Sequence, residues 1–186
     1  MNKDSNEKLS LKMQMIFVGI VAVLVWAHLL WDHFHGGVPS HHIMQRQDLP
    51  RISNWWGGIV VPLMSWFLLF RIRKRVNKET AEDNELKNVV SAFLAALLFG
   101  ILLSFFYSIG SEIPGYMMMG ALLISFFTPL YKAEFLLGFI LGMTYVFGGI
   151  LPTGVGIIFI IILAITYKVL RKGILYLLSK TGLKKG

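Results

Sequence analysis

All five histidines of this 186-residue chain lie close together, and their spacing suits metal coordination. His28 precedes the stretch WDHFHGGVPSHH, which contains His33, His35, His41 and His42. Neutral imidazole and carboxylate suit Zn²⁺, and three or four such ligands with one open position lower the pKa of bound water towards neutrality. The cluster therefore predicts a divalent metal site with zinc as the expected ion. Iron, copper and nickel accept similar ligands and stay open as alternatives.

A helix that continues through the start of this stretch would place three ligands on one face. His28, Asp32 and His35 stand at i, i+4 and i+7, so at 100° per residue Asp32 and His35 each lie within about 40° of His28. The glycines at 36–37 would end the helix, and Pro39 would begin a turn. The chain would then double back over the first helix.

The returning arm would bring a fourth imidazole to the same point. Ser40 is a suitable N-cap for a short interfacial helix over 41–49, which Pro50 would stop. That helix would carry His41 or His42 towards the first helix. The prediction depends on the two arms converging on one shared point at the membrane surface.

Two carboxylates outside the ligand stripe are candidates for proton transfer. Asp48 belongs to the same loop, and Glu112 lies in the short SEIPG loop on the same side of the membrane. Each would orient a ligand or act as a general base. His33 completes the candidate metal residues, although it lies well round the helix from the stripe. The amide of Asn54, in ISNWWGG, is interpreted either as part of a helix start or as a headgroup contact.

The composition requires that much of the chain face lipid. It is 55% hydrophobic and only 15% charged, which one soluble core cannot accommodate. Six apolar segments approach the ~20 residues that cross a ~30 Å hydrocarbon layer. The predicted fold is all-α: a polytopic integral membrane protein with one domain, a six-helix transmembrane bundle, and the interfacial helix described above. The spans are 11–31, 55–70, 88–109, 116–131, 133–151 and 153–170, with an outer loop at 32–54 and an inner loop at 71–87.

Three further expectations concern the later spans. The fifth and sixth spans are separated only by Pro152 and Gly154, so a re-entrant hairpin is the alternative there. Gly138 and Gly142 have the spacing that favours close helix contact. Glu134 is expected at the surface, paired with its neighbour Lys132.

The basic residues predict the orientation of the chain. Of the 18 lysines and arginines, all but Arg46 and Arg51 fall on the side of the two termini. Such a bias indicates cytoplasmic termini and an outer histidine loop, in a plasma membrane or a bacterial inner membrane. It also accounts for the net charge of +8 through contacts with anionic headgroups, so nucleic acid is not expected as a partner.

The distribution of polar groups favours chemistry at the outer rim over passage through the membrane. A permease needs ionisable groups at depth, whereas the middles of these spans offer only hydroxyls such as Ser65 and Thr144. We therefore expect a metal-dependent membrane hydrolase, in which metal-activated water attacks a lipid-like substrate. A divalent metal transporter or a metal or pH sensor is the alternative, and a non-catalytic membrane assembly partner is the third possibility. Membrane lipids are the expected partners, and the oligomeric state stays open.

Overall fold

The computed structural model describes residues 8–38, 40–42, 51–78 and 84–180, and these form helices apart from one small hairpin. A 3₁₀ turn at Asn54–Trp56 leads into the second helix, and a π-helical turn at Thr166–Leu170 joins the sixth to the seventh. In chain order the elements are α1 (Leu11–Phe34), β1 (Ser40–His42), β2 (Arg51–Ser53), α2 (Gly57–Val76), α3 (Glu85–Ser108), α4 (Ile113–Ile124), α5 (Ala133–Phe147), α6 (Ile150–Ile165) and α7 (Arg171–Lys180).

Four helical stretches of the described chain are long and apolar enough to cross a membrane. They are Leu11–Phe34, Asn54–Val76, Glu85–Ser108 and Ile150–Leu177. The apolar helices α4 and α5 have only 12 and 15 residues. At 1.5 Å per residue they are about 18 and 22 Å long, less than a ~30 Å hydrocarbon layer. The architecture agrees with the predicted helical membrane protein, but helix length does not establish the predicted six spans.

The short helix α5 lies at the centre of the bundle. Leu137 and Ile140 are 2% and 1% exposed, and α5 packs against α2, α3 and α6. The surrounding helices instead turn large apolar side chains outwards, such as Leu94 and Ile101 of α3, at 53% and 48% exposed. A soluble protein would bury these side chains, so this pattern suits a bundle surrounded by lipid.

Glycines let α3 and α5 approach until their backbones touch. A methyl group on Gly138 would lie 2.5 Å from the carbonyl oxygen of Phe93, and one on Gly142 would collide with the carbonyl oxygen of Leu97. On α3, a methyl group on Gly100 would lie 2.8 Å from the carbonyl oxygen of Phe139. The close contact predicted from the spacing of Gly138 and Gly142 is therefore present.

One end of the bundle, which we call the basic end, carries the start of α1, the end of α2 and the starts of α3 and α5. The amide of Asn77 donates to the carbonyl of Leu9 over 2.7 Å and accepts from its N–H over 3.0 Å. Arg75 Nη2 donates to Glu134 Oε1 over 2.9 Å. The surface pairing expected for Glu134 is wrong: the residue is 2% exposed, and its partner comes from α2, not from Lys132.

The boundary between the fifth and sixth segments also differs from the prediction. The chain breaks at Gly148, whose φ of +71° favours glycine, and α6 begins at Ile150. Pro152 lies in the first turn of α6, where its missing N–H costs no helical hydrogen bond, so it does not separate the segments. Gly154 lies within α6 as well. The fourth segment ends at Ile124, well before the predicted 131.

The opposite end, the histidine end, carries a hairpin where a helix was expected. β1 pairs antiparallel with β2, with Ser40 opposite Ser53 and His42 opposite Arg51. The predicted interfacial helix over 41–49 is thus wrong at its first two residues, because they are extended and paired to β2. The rest of that helix lies outside the described residues. The pairing still returns the chain to the start of α2.

Candidate functional site

The C-terminal end of α1 presents the first candidate residues. The helix continues to Phe34, as its ligand stripe requires, and His35 N–H closes the last turn onto Trp31 and Asp32 carbonyls. Gly37 N–H donates to the Asp32 carbonyl over 2.9 Å, and the positive φ of both Gly36 and Gly37 ends the helix.

His28 is held by the end of α5. Its Nε2 lies 3.1 Å from the carbonyl oxygen of Tyr145, and its ring stacks on the Tyr145 ring with centroids 5.0 Å apart. A carbonyl oxygen can only accept, so Nε2 carries the hydrogen in this contact. In the neutral ring, Nδ1 is then the nitrogen that carries the lone pair.

Asp32 lies one turn beyond His28 and faces the same nitrogen. Its Oδ2 is 3.7 Å from His28 Nε2, beyond hydrogen-bond range but within that of an ion pair with a protonated ring. The two ring nitrogens of imidazole point away from each other. Asp32 therefore lies on the Nε2 side of His28, away from Nδ1. To share a metal with Asp32, His28 would have to release the Tyr145 carbonyl.

The third residue of the predicted stripe points elsewhere. His35 Nδ1 lies 2.9 Å from the carbonyl oxygen of Trp31, and its ring stacks on the Trp31 ring with centroids 3.8 Å apart. His33 packs near Trp55 instead, with centroids 5.7 Å apart. The described residues contain no group of three histidine, aspartate or glutamate side chains able to hold one metal ion.

The remaining candidates are placed only in part. His41 and His42 belong to β1, but their side chains are outside the described part of the chain, as is Asp48 entirely. Glu112 is exposed immediately before α4 at the histidine end. The four-ligand site stays a prediction, since the arm that would complete it is not described.

An apolar groove runs along α1 below His28, and sequence reasoning missed it. It has a volume of about 660 Å³, and α5 contributes Leu141 and Thr144 to its floor. Its walls come from α1 and α3, through residues such as Phe17, Ile20, Leu24, Phe93 and Leu97. His28, Trp31 and Tyr145 line the groove at the histidine end. The pair of His28 and Asp32, which we call the dyad, therefore adjoins an apolar groove.

The groove is open at its side. Ile20 and Leu24 are 55% and 64% exposed, and Tyr145 is 76% exposed. In a membrane these exposed walls face the acyl chains.

Asn54 connects neighbouring helix ends, which favours its interpretation as part of a helix start over that of a headgroup contact. It is 4% exposed, and its Oδ1 accepts the Gly149 N–H over 3.1 Å. The Asn54 side chain occupies the space that a side chain at Gly148 would need. Asn54 thus joins the start of α2 to the break between α5 and α6, and it is buried away from any headgroup.

No protein-family model, curated protein or solved structure matches this chain.

Proposed function

We propose that the protein is an integral membrane enzyme that hydrolyses a lipid-like substrate at the histidine end of the bundle. The observation that carries the proposal is the His28–Asp32 dyad at the mouth of an apolar groove of about 660 Å³. The groove suits an acyl chain, and its mouth offers an imidazole nitrogen where the polar end of that chain would lie. Pockets of this kind, apolar with few polar groups, are typical of ligand sites.

In the proposed arrangement the chain crosses the membrane six times, with both termini cytoplasmic. The short helices α4 and α5 make two of the crossings. The burial of α5 supports this: most of the helix contacts protein rather than lipid, so its length need not match that of the hydrocarbon layer. The exposed lysines and arginines gathered at the basic end support the orientation. The histidine end then lies at the outer surface.

The proposed chemistry is ester or amide hydrolysis at His28 Nδ1. This nitrogen takes a proton from water, the water oxygen attacks the substrate carbonyl carbon, and the bond to the leaving group breaks as that group is protonated. Asp32 stabilises the protonated ring from the Nε2 side. Asp48 and Glu112 remain candidates for carrying the proton onwards.

In a metal-assisted form of the proposal, with zinc first, the same nitrogen would bind the metal instead of acting as the base. His28 Nδ1 would be one ligand, and its Nε2 contact with a backbone carbonyl is the arrangement that commonly orients a ligating histidine. His41 or His42, with His33 or His35 after a rotamer change, would have to supply the others. The metal would lower the pKa of the attacking water.

The proposal is tested with purified protein in liposomes that contain a diacyl phospholipid with a labelled acyl chain. We expect release of fatty acid. His28→Ala should lower the rate by roughly 100-fold or more, the size of a general-base contribution, and Asp32→Asn by roughly tenfold. Ser108→Ala, an exposed change at the same end, should leave the rate unchanged.

Metal content and metal flux separate the proposal from its alternatives. Stoichiometric zinc that His28→Ala removes, together with hydrolysis that a chelator stops, would support the metal-assisted form. Hydrolysis that survives the chelator would assign His28 as the general base and not as a metal ligand. Saturable zinc flux into the same liposomes, abolished by His28→Ala and without lipid cleavage, would show that the protein is a metal transporter and not a hydrolase.

A further inference from the structure

A second apolar cavity lies in the half of the bundle away from His28, between α3, α4, α5 and α6. Its volume is about 310 Å³. Small residues on α3 and α4, Ala95 and Gly120, leave the space open. A methyl group added at Gly120 would meet no atom within 4 Å. The cavity is lined by carbon almost throughout, so its occupant must be apolar.

Two of the lining residues lead directly to a group of cations and tyrosines at the basic end. Leu130, in the turn before α5, is followed by Tyr131 and Lys132. Leu163 of α6 lies about one turn before Tyr167 and Lys168. Both walls of the cavity therefore end in residues of the same chemistry.

Four residues are joined by ring and cation contacts: Tyr131, Tyr167, Lys168 and Arg171. Together with Lys132, the next residue after Tyr131 in the chain, they form what we call the cationic rim. Lys168 Nζ lies 4.6 Å from the centroid of the Tyr131 ring. The centroids of Tyr131 and Tyr167 are 5.6 Å apart, and Arg171 Cζ lies 5.0 Å from the centroid of Tyr167. The two rings thus link both walls and hold cations beside them.

The charge of the rim is not neutralised within the described chain. The nearest carboxylate in sequence, Glu134, is turned to Arg75 with an oxygen–nitrogen distance of 2.9 Å. None of the ion pairs among the described residues involves Lys132, Lys168 or Arg171. Cations of this kind at a membrane surface attract anionic headgroups.

We propose that this cavity and the cationic rim form a binding site for an anionic phospholipid of the leaflet at the basic end. One acyl chain fills the cavity beside Gly120, and the phosphate lies against Lys132 and Lys168. A soluble phosphate would use only the rim, and a zwitterionic lipid only the cavity. The two parts together select a charged lipid. The site is independent of the proposed hydrolysis, since it lies at the other end of the bundle.

Native mass spectrometry of the full-length chain in detergent tests the proposal, with added phosphatidylglycerol, phosphatidylcholine of the same acyl chains, or glycerol phosphate. We expect a one-to-one complex that favours phosphatidylglycerol. Removing one basic residue near an anionic group costs about fivefold, so Lys132→Ala with Lys168→Ala should weaken it roughly thirtyfold. Lys172→Ala, an exposed lysine of α7, is the matched control and should have no such effect.

A second pair of variants tests the cavity without touching the charges. Gly120→Leu fills it and should prevent retention of either lipid, whereas Gly115→Leu on the same helix adds an exposed side chain outside the cavity. Equal retention by Gly120→Leu and Gly115→Leu would overturn the proposal. So would equal binding of phosphatidylcholine and phosphatidylglycerol, or binding of glycerol phosphate as strong as that of the lipid.

Discussion

At the scale of single residues, contacts with main-chain atoms decide what the candidate site can do. The Tyr145 carbonyl oxygen fixes which nitrogen of His28 carries hydrogen. The Trp31 carbonyl oxygen holds the ring of His35 through Nδ1. Spacing on a helix predicted that His28 and Asp32 would share one face, and their side chains lie 3.7 Å apart. It could not predict the direction of His35, because every residue has a carbonyl and no sequence pattern marks one that captures a ring.

The contact between Arg75 and Glu134 is a second case in which a distant residue overrides a neighbour. Glu134 is 2% exposed, and its Oε2 has no hydrogen-bond partner among the described residues. Arg75 also lies 2.8 Å from Glu85 through Nε, without the angle of a hydrogen bond. One arginine therefore joins α2 to the starts of α3 and α5. Burying a carboxylate is costly unless a cation accompanies it.

This pair predicts an asymmetry between two single substitutions. Arg75→Ala leaves the Glu134 carboxylate buried and unpaired, so it should lower the free energy of unfolding by about 2 kcal/mol, below the ~3–5 kcal/mol of a fully buried pair because Arg75 is partly exposed. Glu134→Gln should lower the free energy of unfolding by less, since Arg75 keeps its ion pair with Glu85. Unfolding in mixed micelles measures both. The double variant should be more stable than Arg75→Ala alone, and greater instability of the double variant would contradict this account.

At the scale of elements, the contact between α3 and α5 depends on the absence of side chains. The backbone of one helix occupies the place of a Cβ on the other at Gly138 and Gly142. Backbones this close gain dispersion contacts that larger residues would prevent. This contact positions the groove floor, because Leu141 and Thr144 belong to the same stretch of α5.

Gly142→Ala should therefore destabilise the protein. The added methyl group collides with the Leu97 carbonyl oxygen, a backbone atom that cannot rotate away, so the helices must separate at a cost of about 1–3 kcal/mol. The temperature of unfolding in detergent should fall accordingly. Gly19→Ala is the matched control, because it lies in α1 with nothing within 4 Å of the added methyl group. Equal effects of the two changes would show that the α3–α5 contact tolerates separation.

Some elements of the fold are predictable from the sequence, and others are not. Hydropathy placed all the long apolar helices, and glycine spacing placed the α3–α5 contact. Hydropathy could not find the end of α5, because two glycines without polar side chains are too short an interruption of the apolar run. Pro152 was expected to separate the fifth and sixth spans, yet the first turn of a helix tolerates proline. The hairpin was missed because pairing depends on residues 51–53, far along the chain from Ser40.

At the scale of the whole molecule, the bundle separates two kinds of chemistry. The histidine end combines an imidazole–carboxylate pair with a groove along α1, and the basic end combines cations and tyrosines with a cavity beside α4. The tight α3–α5 contact lies between them. A lipid bound in either apolar space would contact α5, the helix through which the two ends share their packing.

The arrangement in the membrane depends above all on α4. With 12 helical residues, α4 crosses only if the turn at 125–132 continues its path to the basic end. The chain has no cysteine, so single cysteines can report the side of each position. The exposed residues Lys87, Ser108 and Thr128 follow the path from the start of α3 to the turn after α4.

An impermeant thiol reagent applied to intact cells should label Ser108→Cys and not the other two. Lys87→Cys and Thr128→Cys should react only after the membrane is permeabilised, because six crossings return the chain to the cytoplasm after α4. Lys172→Cys on α7 is a control for the basic end and should behave like Lys87→Cys. Labelling of Thr128→Cys together with Ser108→Cys in intact cells would mean that α4 enters and leaves on one side. The six-span arrangement would then be wrong, while the groove and the dyad on α1 would keep their geometry.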